Sequence, residues 1–300
     1  MKNLATPLGL GGIDLDSKAE LGHGRFLDKR IAGIALSVAL AYYLGSKIGF
    51  ALTFQPHPIS VLWPPNSILL AALLLTPVRI WWVILLAAFP AHLAAQLQSN
   101  VPPTMIICWF ISNSCEALIG AGFVRYLLGS PVRFNRLRNV GIFCFFAGFW
   151  GPFLSSFLDS AFVVLNHWGQ DGYWEVWRIR FVSNVLAALT LAPFLVIWSS
   201  EGIAWLGKIR RRRFFEAVLL LLGLLSVNVI VFYKLAPTAD SMLLYLPLPF
   251  LIWAAVRFGS RGTSTTICVL MFLAIWSAGH GYGPFSTKSA SENALAIQMF

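Results

Sequence analysis

Charge is what this sequence has least of. Charged residues fill 11% of its 300 positions, and only 12 of them are Asp or Glu. A soluble domain carries roughly 25%, so a chain this poor in charge cannot cover a water-facing surface, which excludes a soluble enzyme or binding module. Cysteine is also scarce. Cys108, Cys115, Cys144 and Cys268 all fall inside apolar runs and form no C-x-x-C pair; they read as buried packing thiols and say little about redox compartment. Catalytic signatures are missing too: there is no H-E-x-x-H, no G-x-S-x-G, no glycine-rich phosphate loop and no pair of acids at metal-site spacing. Their absence disfavours an integral membrane transferase and leaves no catalytic residue, metal site or cofactor to nominate.

What the chain does have is apolar length. It is 58% hydrophobic with a mean hydropathy of +0.73, the composition of an integral membrane protein. A hydrocarbon layer about 30 Å thick takes about 20 helical residues. Runs of that kind fall at about 31–53, 61–77, 79–98, 103–128, 139–165, 177–199, 214–233, 242–256 and 263–279, the second, eighth and ninth being short. The expected fold is all-α, a polytopic transmembrane helix bundle of about nine spans. A tenth run starts near Ala294 and is cut off at Phe300, so a membrane domain truncated at its C-terminus and followed by something cytoplasmic is expected. Residues 1–30 are polar, glycine-bearing and mixed in charge, a poor core and an expected mobile cytoplasmic arm. The membrane domain then occupies 31–300, with its first span retained rather than cleaved as a signal peptide.

The basic residues sort onto one side of these spans. With the N-terminus in the cytoplasm, every Lys and Arg falls in the arm or an inner loop except Lys47, Arg178, Arg180, Lys234 and Lys288. That is a strong positive-inside pattern, and it accounts for the formal net charge of +10 without nucleic acid. The most basic run, Lys208 to Arg213, holds its loop inside and can also attract anionic headgroups. Trp81, Trp82, Trp198 and Trp205 near the inner face, and Trp168, Trp174 and Trp177 near the outer, form aromatic belts.

Prolines punctuate the spans: Pro64 and Pro65 in the second, Pro90 in the third, Pro152 in the fifth, Pro193 in the sixth, Pro247 and Pro249 in the eighth. Each removes a backbone donor and is expected to bend or break its helix, either as a packing feature or to line a cavity. A weak echo links the second–third and eighth–ninth hairpins, which both run from a proline-bearing start through Ala-Ala to an arginine turn.

The fourth run carries a carboxylate, Glu116, near its middle beside Asn113, among Ser112, Ser114, Cys115, Ala117, Gly120, Ala121 and Gly122. Small residues admit close helix neighbours, and an acid at bilayer depth is costly unless it faces a bundle interior, a partner or a cavity. Asp159 in the outer part of the fifth span, Arg178, Arg180 and Asn184 at the start of the sixth, and His92 in the third converge on the same layer. Asp159 with Arg180, and Glu116 with Arg178 or Arg180, are the plausible pairs, with unpaired neutral acids as an alternative. Two readings stay open: internal pairs that fix helix register, or an outward-opening polar pocket completed by the Trp63-Pro64-Pro65-Asn66 start of the second span. His92 reads as a packing histidine, a ligand-contacting or pH-sensing group, or a metal ligand. Gly279 to Pro284 reads as a tight loop.

Several of these stretches together resemble a known family. Leu62-Trp63-Pro64-Pro65-Asn66, Phe89-Pro90-Ala91-His92-Leu93, Asn113-Ser114-Cys115-Glu116-Ala117-Leu118, Trp253 to Gly259 and Gly281-Tyr282-Gly283-Pro284-Phe285 resemble the MASE membrane-associated sensor domain, first class, over about residues 30 to 300. The resemblance implies a polytopic bacterial inner-membrane sensory region, usually N-terminal to a cytoplasmic output that is most often a histidine kinase and sometimes a cyclic-di-GMP synthase or phosphodiesterase. One departure stands out. Many members carry Gly-Asp in the sixth span before its proline, where this chain has Ser183-Asn184 ahead of Pro193.

The expected function is a sensory input domain relaying a stimulus through its last helix to a histidine kinase module, as a population shift between two packings. A ten-span small-molecule transporter using Glu116, Asp159 and Arg180 as coupling charges is the alternative. The expected partners are the lipid bilayer, an unknown small ligand or membrane protein, an output domain in cis and a second copy in a homodimer.

Overall fold

Backbone polar groups inside a hydrocarbon layer have no water to bond, so a chain this apolar has to close its hydrogen bonds within helices. The computed structural model describes residues 14–53, 60–169, 171–201, 210–231, 244–283 and 296, with side chains from residue 29 onward. Its elements are helical: α1 (Asp14–Ala51), α2 (Pro64–Leu75), a 3-10 turn (Val78–Ile80), α3 (Trp81–Leu97), α4 (Pro103–Leu128), α5 (Leu137–Phe143), a π-helical segment (Cys144–Trp150), α6 (Gly151–Leu165), α7 (Tyr173–Glu201), α8 (Arg211–Val229) and α9 (Leu248–Gly279). The α1 helix begins within the stretch read as an arm. The tenth run and Trp205 fall outside the described residues, apart from Ala296.

Among the described residues six helical stretches are long and apolar enough to cross a membrane: Lys29–Ala51, Val78–Leu97, Pro103–Leu128, Leu137–Leu165, Tyr173–Ser200 and Leu248–Gly279. The expected nine-plus-one count is therefore not reached on length and composition. α2 has 12 residues, about 18 Å of helix, short of a 30 Å layer. It has no polar face, and all but Ile68 and Leu75 are buried, as expected of a helix enclosed by others. α1, α4 and α7 surround it. α8 falls short because Arg211, Arg212, Arg213 and Glu216 occupy its start.

The prolines do not break the spans as expected. Pro64 and Pro65 open α2, and Pro249 lies in the first turn of α9 after Pro247 at its N-cap. A missing N–H at these positions takes nothing from the helix ladder. Pro90 and Pro193 lie inside continuous helices. Pro152 follows directly on the π segment. Its ring would crowd the carbonyl four residues back and it has no N–H to donate there, a conflict that widening to a π turn relieves.

The real break is at Gly259, with φ 62 and ψ −152 inside α9, a combination essentially confined to glycine. Around it the chain folds back on itself. A Cβ on Gly262 would lie 3.1 Å from the Ala254 carbonyl oxygen, whereas eight residues of straight helix span about 12 Å. The first arm packs antiparallel to α8, with Arg257 on Glu216 and Phe250 against Gly223. The second arm runs antiparallel to α7, where Trp198 donates to Thr265 and Thr190 to Met271.

The two ends of the bundle differ in charge. One end gathers Arg79, Arg125 and the Arg133–Arg138 turn; there Arg125 donates to the Leu74 carbonyl, and a pocket of about 440 Å³ joins Arg133 and Phe134 to Ser200 and Ser260. The opposite end carries the 60–63 and 98–102 connections and residues 166–169. Close packing at mid-depth rests on two glycines. A Cβ on Gly120 would lie 3.1 Å from the Ala147 Cα, and one on Gly151 3.1 Å from the Glu116 carbonyl oxygen. The expectation of buried thiols holds for Cys268, but Cys144 is exposed and Cys108 and Cys115 are half-buried.

Candidate functional site

Helix α4 packs against α2, α3 and α6 and reaches α7 through side chains, so its polar residues have neighbours on several sides. Glu116 is 5% exposed. One of its carboxylate oxygens, Oε2, accepts two hydrogen bonds of 2.7 Å, from the Ser155 hydroxyl on α6 and from the Asn184 carboxamide on α7. Asn66 of α2 approaches the same carboxylate, yet neither polar atom of its buried side chain makes a hydrogen bond. Glu116 thus joins α4, α6 and α7, with α2 alongside.

A second set runs toward α1 and α3. The Nε2 of buried His92 lies 3.0 Å from the Ile106 carbonyl oxygen, which only accepts, so Nε2 carries the proton. Nδ1 is then the acceptor for the Tyr42 hydroxyl at 3.1 Å, and Asn113 donates to the Tyr42 oxygen at 3.4 Å. Donors and acceptors alternate along the chain Asn113–Tyr42–His92–Ile106. Both His92 nitrogens are engaged, which suits the packing reading and leaves no free ring nitrogen for a metal.

The third set corrects the expected ion pairs. Asp159 and Arg180 lie in the same layer and feel each other's charge, but no oxygen–nitrogen contact within 4.0 Å joins them. Asp159 accepts from Ser112 instead. The Arg180 guanidinium lies over the Trp109 ring, 4.8 Å from its centroid, in cation–π geometry. Glu116 also has no guanidinium within ion-pair distance. Arg178 does not join the group: it is exposed, while Ile179 and Arg180 are buried. Two residues of helix rotate a side chain by about 200°, which puts Arg178 on the opposite face from Arg180.

The start of α2 closes this layer at the arginine-poor end. Trp63 is buried, packs edge-on against Phe50 at 5.4 Å, and lies where a side chain on Gly49 would clash. The Ser60 hydroxyl donates to the Gly49 carbonyl and Ser183 of α7 donates to the Ser60 carbonyl. A small pocket of about 20 Å³ lies between them, lined by residues that include Trp63, Gln96, Trp109, Asn113 and Arg180. Pro64 and Pro65 are buried as the first turn of α2 and shape this entrance without lining the pocket.

Of the expected site residues, Trp63, Asn66, His92, Asn113, Glu116, Asp159, Arg180 and Asn184 are thus buried in one layer, and Arg178 is outside it. Tyr42, Ser155 and Trp109 were missed. Ser155 lies one turn from Asp159 on the same face and could have been read as its neighbour; Tyr42 in an ordinary apolar run gave no such signal. Among the described residues no three His, Cys, Asp or Glu side chains gather as a metal cluster.

Comparison with known proteins adds three findings. A family model described as MASE1 matches residues 34–300. The chain is 25% identical over 228 residues to the probable diguanylate cyclase DgcE of Escherichia coli strain K12, an alignment covering 74% of this chain and 19% of that protein. This chain therefore spans about a fifth of the length of the curated relative it matches. No solved structure matches.

Proposed function

The chain belongs to the MASE1 family of membrane-associated sensor domains, and we propose on that premise that it is the input region of a bacterial signal-transduction protein in the inner membrane. The observation that carries this reading is the buried polar layer around Glu116. It couples α1, α3, α4, α6 and α7 through hydrogen bonds that have alternative partners within reach. Asn66 is an unused partner beside Glu116, and Asp159 and Arg180 are near each other but unpaired. Interhelical hydrogen bonds in membranes average about 0.6 kcal/mol, with maxima near 1.7. Exchanging a few of them lies within what a bound ligand can supply, as a population shift requires.

The folded-back α9 supports nine crossings: α2 passes once within its neighbours, α8 passes once beside α9, and the two arms of α9 pass separately. Arginine clustering at one end supports a cytoplasmic N-terminus. The output in cis is a cyclic-di-GMP enzyme in the reading favoured by the relative described as a probable diguanylate cyclase. A histidine kinase, the expectation from resemblance, has no support among the relatives. Family membership also favours a sensor over a ten-span transporter.

The test is the full-length protein carrying Glu116→Gln or Arg180→Lys, with cellular cyclic-di-GMP, autophosphorylation of purified protein and membrane abundance measured side by side. The sensory reading expects output to change at unchanged abundance. If output and abundance only fall in parallel, the polar layer is a register device and the reading is lost.

A further inference from the structure

Among the described residues, the one cation buried in this layer makes no ion pair. Arg180 is 8% exposed, its Nε has no hydrogen-bond partner, and neither Asp159 nor Glu116 comes within ion-pair distance. A buried, uncompensated ion carries a desolvation penalty of several kcal/mol, and stacking on Trp109 recovers about 2 kcal/mol at best. The unmet demand is local. Trp109 Nε1 is also a buried donor without a partner, as is the acceptor Gln96 Oε1, and all three side chains line the same pocket. The Gln96 carboxamide can present its N–H groups instead by a half-turn.

We propose that this pocket binds a small monocarboxylate, with Arg180 as its anchor and Trp109 and Gln96 as further contacts. A guanidinium fork matches a carboxylate in two parallel hydrogen bonds, and one negative charge neutralises one arginine. A phosphate dianion fits less well, because buried Asp159 on α6 and Glu116 on α4 lie in the same layer and would repel the second charge. The remaining wall, Phe50 and Trp63, is aromatic and suits a short apolar tail. With a cavity volume of about 20 Å³, far below that of pockets for drug-sized ligands, the space admits only the smallest carboxylates and excludes long-chain acids. Ser60 and Thr53 on the lining place the approach at the arginine-poor end, the outer side in the proposed orientation. This assignment rests on the sensory reading only for its meaning: it supplies that reading with a ligand class.

Purified protein in nanodiscs is titrated with acetate, with acetamide as its neutral isostere and with inorganic phosphate, at constant ionic strength in chloride. Tryptophan fluorescence reports both binding and the thermal midpoint. Acetate is expected to quench and to raise the midpoint in the wild type, acetamide and phosphate to leave both unchanged, and Arg180→Gln to abolish the response. Arg180→Lys keeps the charge but loses the fork, and is expected to weaken acetate binding about tenfold or more. If Arg180→Gln does not fold, Arg180→Lys and Trp109→Phe carry the comparison, each expected to bind acetate more weakly. Equal responses to acetate and acetamide, a stronger response to phosphate, or no response beyond chloride overturn the proposal. Acetate that binds without altering the output of the full-length protein keeps the site and removes the sensory reading. Output that depends on Glu116 without acetate binding does the reverse.

Discussion

Asn184 donates a 2.7 Å hydrogen bond to Glu116, joining α7 to α4 at the middle of the bundle. In many members of the family the resemblance leads one to expect an acid at this position of the sixth span. A carboxamide can donate where a carboxylate can only accept, so Asn184 bonds to Glu116 where an acid would face it with a second carboxylate.

The first prediction exploits that complementarity. Asn184→Asp removes the donor and faces Glu116 with a second acid, which should destabilise the protein by about 1–3 kcal/mol. Adding Glu116→Gln restores one donor and one acceptor in reversed order. The double variant is expected to regain most of the loss in denaturant unfolding from detergent; a double variant as unstable as the sum of the singles would show that the pair does not interact.

Tyr42→Phe keeps the ring and removes only the hydroxyl that links Asn113 to His92. Two buried partners lose their bond, so a cost of about 1–3 kcal/mol is expected. Tyr43→Phe, next to it in sequence but bonded to Gln98 at the exposed surface, should change stability by under about 0.5 kcal/mol. Equal effects would contradict the buried relay.

Gly259→Ala tests the reversal of α9. No atom lies within 4 Å of the added Cβ, so the cost is conformational, about 1–3 kcal/mol for a residue held in glycine's region. Gly122→Ala in α4 meets equally open space with a helical backbone. It should stabilise by roughly 0.5–1 kcal/mol. Thermal unfolding of the two variants is expected to move in opposite directions.

Cysteine labelling in a background without the four native thiols tests how α9 crosses. Leu246→Cys and Tyr282→Cys should react with an impermeant maleimide from one face of the membrane, and Ser260→Cys from the other. A single straight span would place Leu246 and Tyr282 on opposite faces and shield Ser260.

How far the fold could be read in advance varies by element. The fourth span was expected at 103–128 and is Pro103–Leu128, because an apolar run bounded by prolines is a local property. The prolines themselves misled: Pro64 and Pro65 read as a break, but at the first turn the missing N–H is one no helix uses. The reversal at Gly259 falls in the arginine turn expected between the runs at 242–256 and 263–279.

The layer around Glu116 was legible as a set of residues at one depth, and depth follows from counting along helices. The partners were not legible. Asp159 takes Ser112 rather than Arg180, Arg180 takes Trp109, and Tyr42 enters a network in which no motif placed it. Pairing depends on how each helix is rotated about its axis, and a difference of two residues separates buried Arg180 from exposed Arg178.

By itself, then, the sequence determined that this chain lives in a membrane, that it is helical, and which ends of its helices carry the arginines. Those follow from sums over residues: apolar length against bilayer thickness, and charge against side. Only the tertiary structure decided that α2 is enclosed by its neighbours, that Asp159 and Glu116 bond to serine and asparagine, and that one buried guanidinium was left without an ion-pair partner. Each of these depends on which helix faces are pressed together, and packing sets that jointly for all the helices rather than for any one of them.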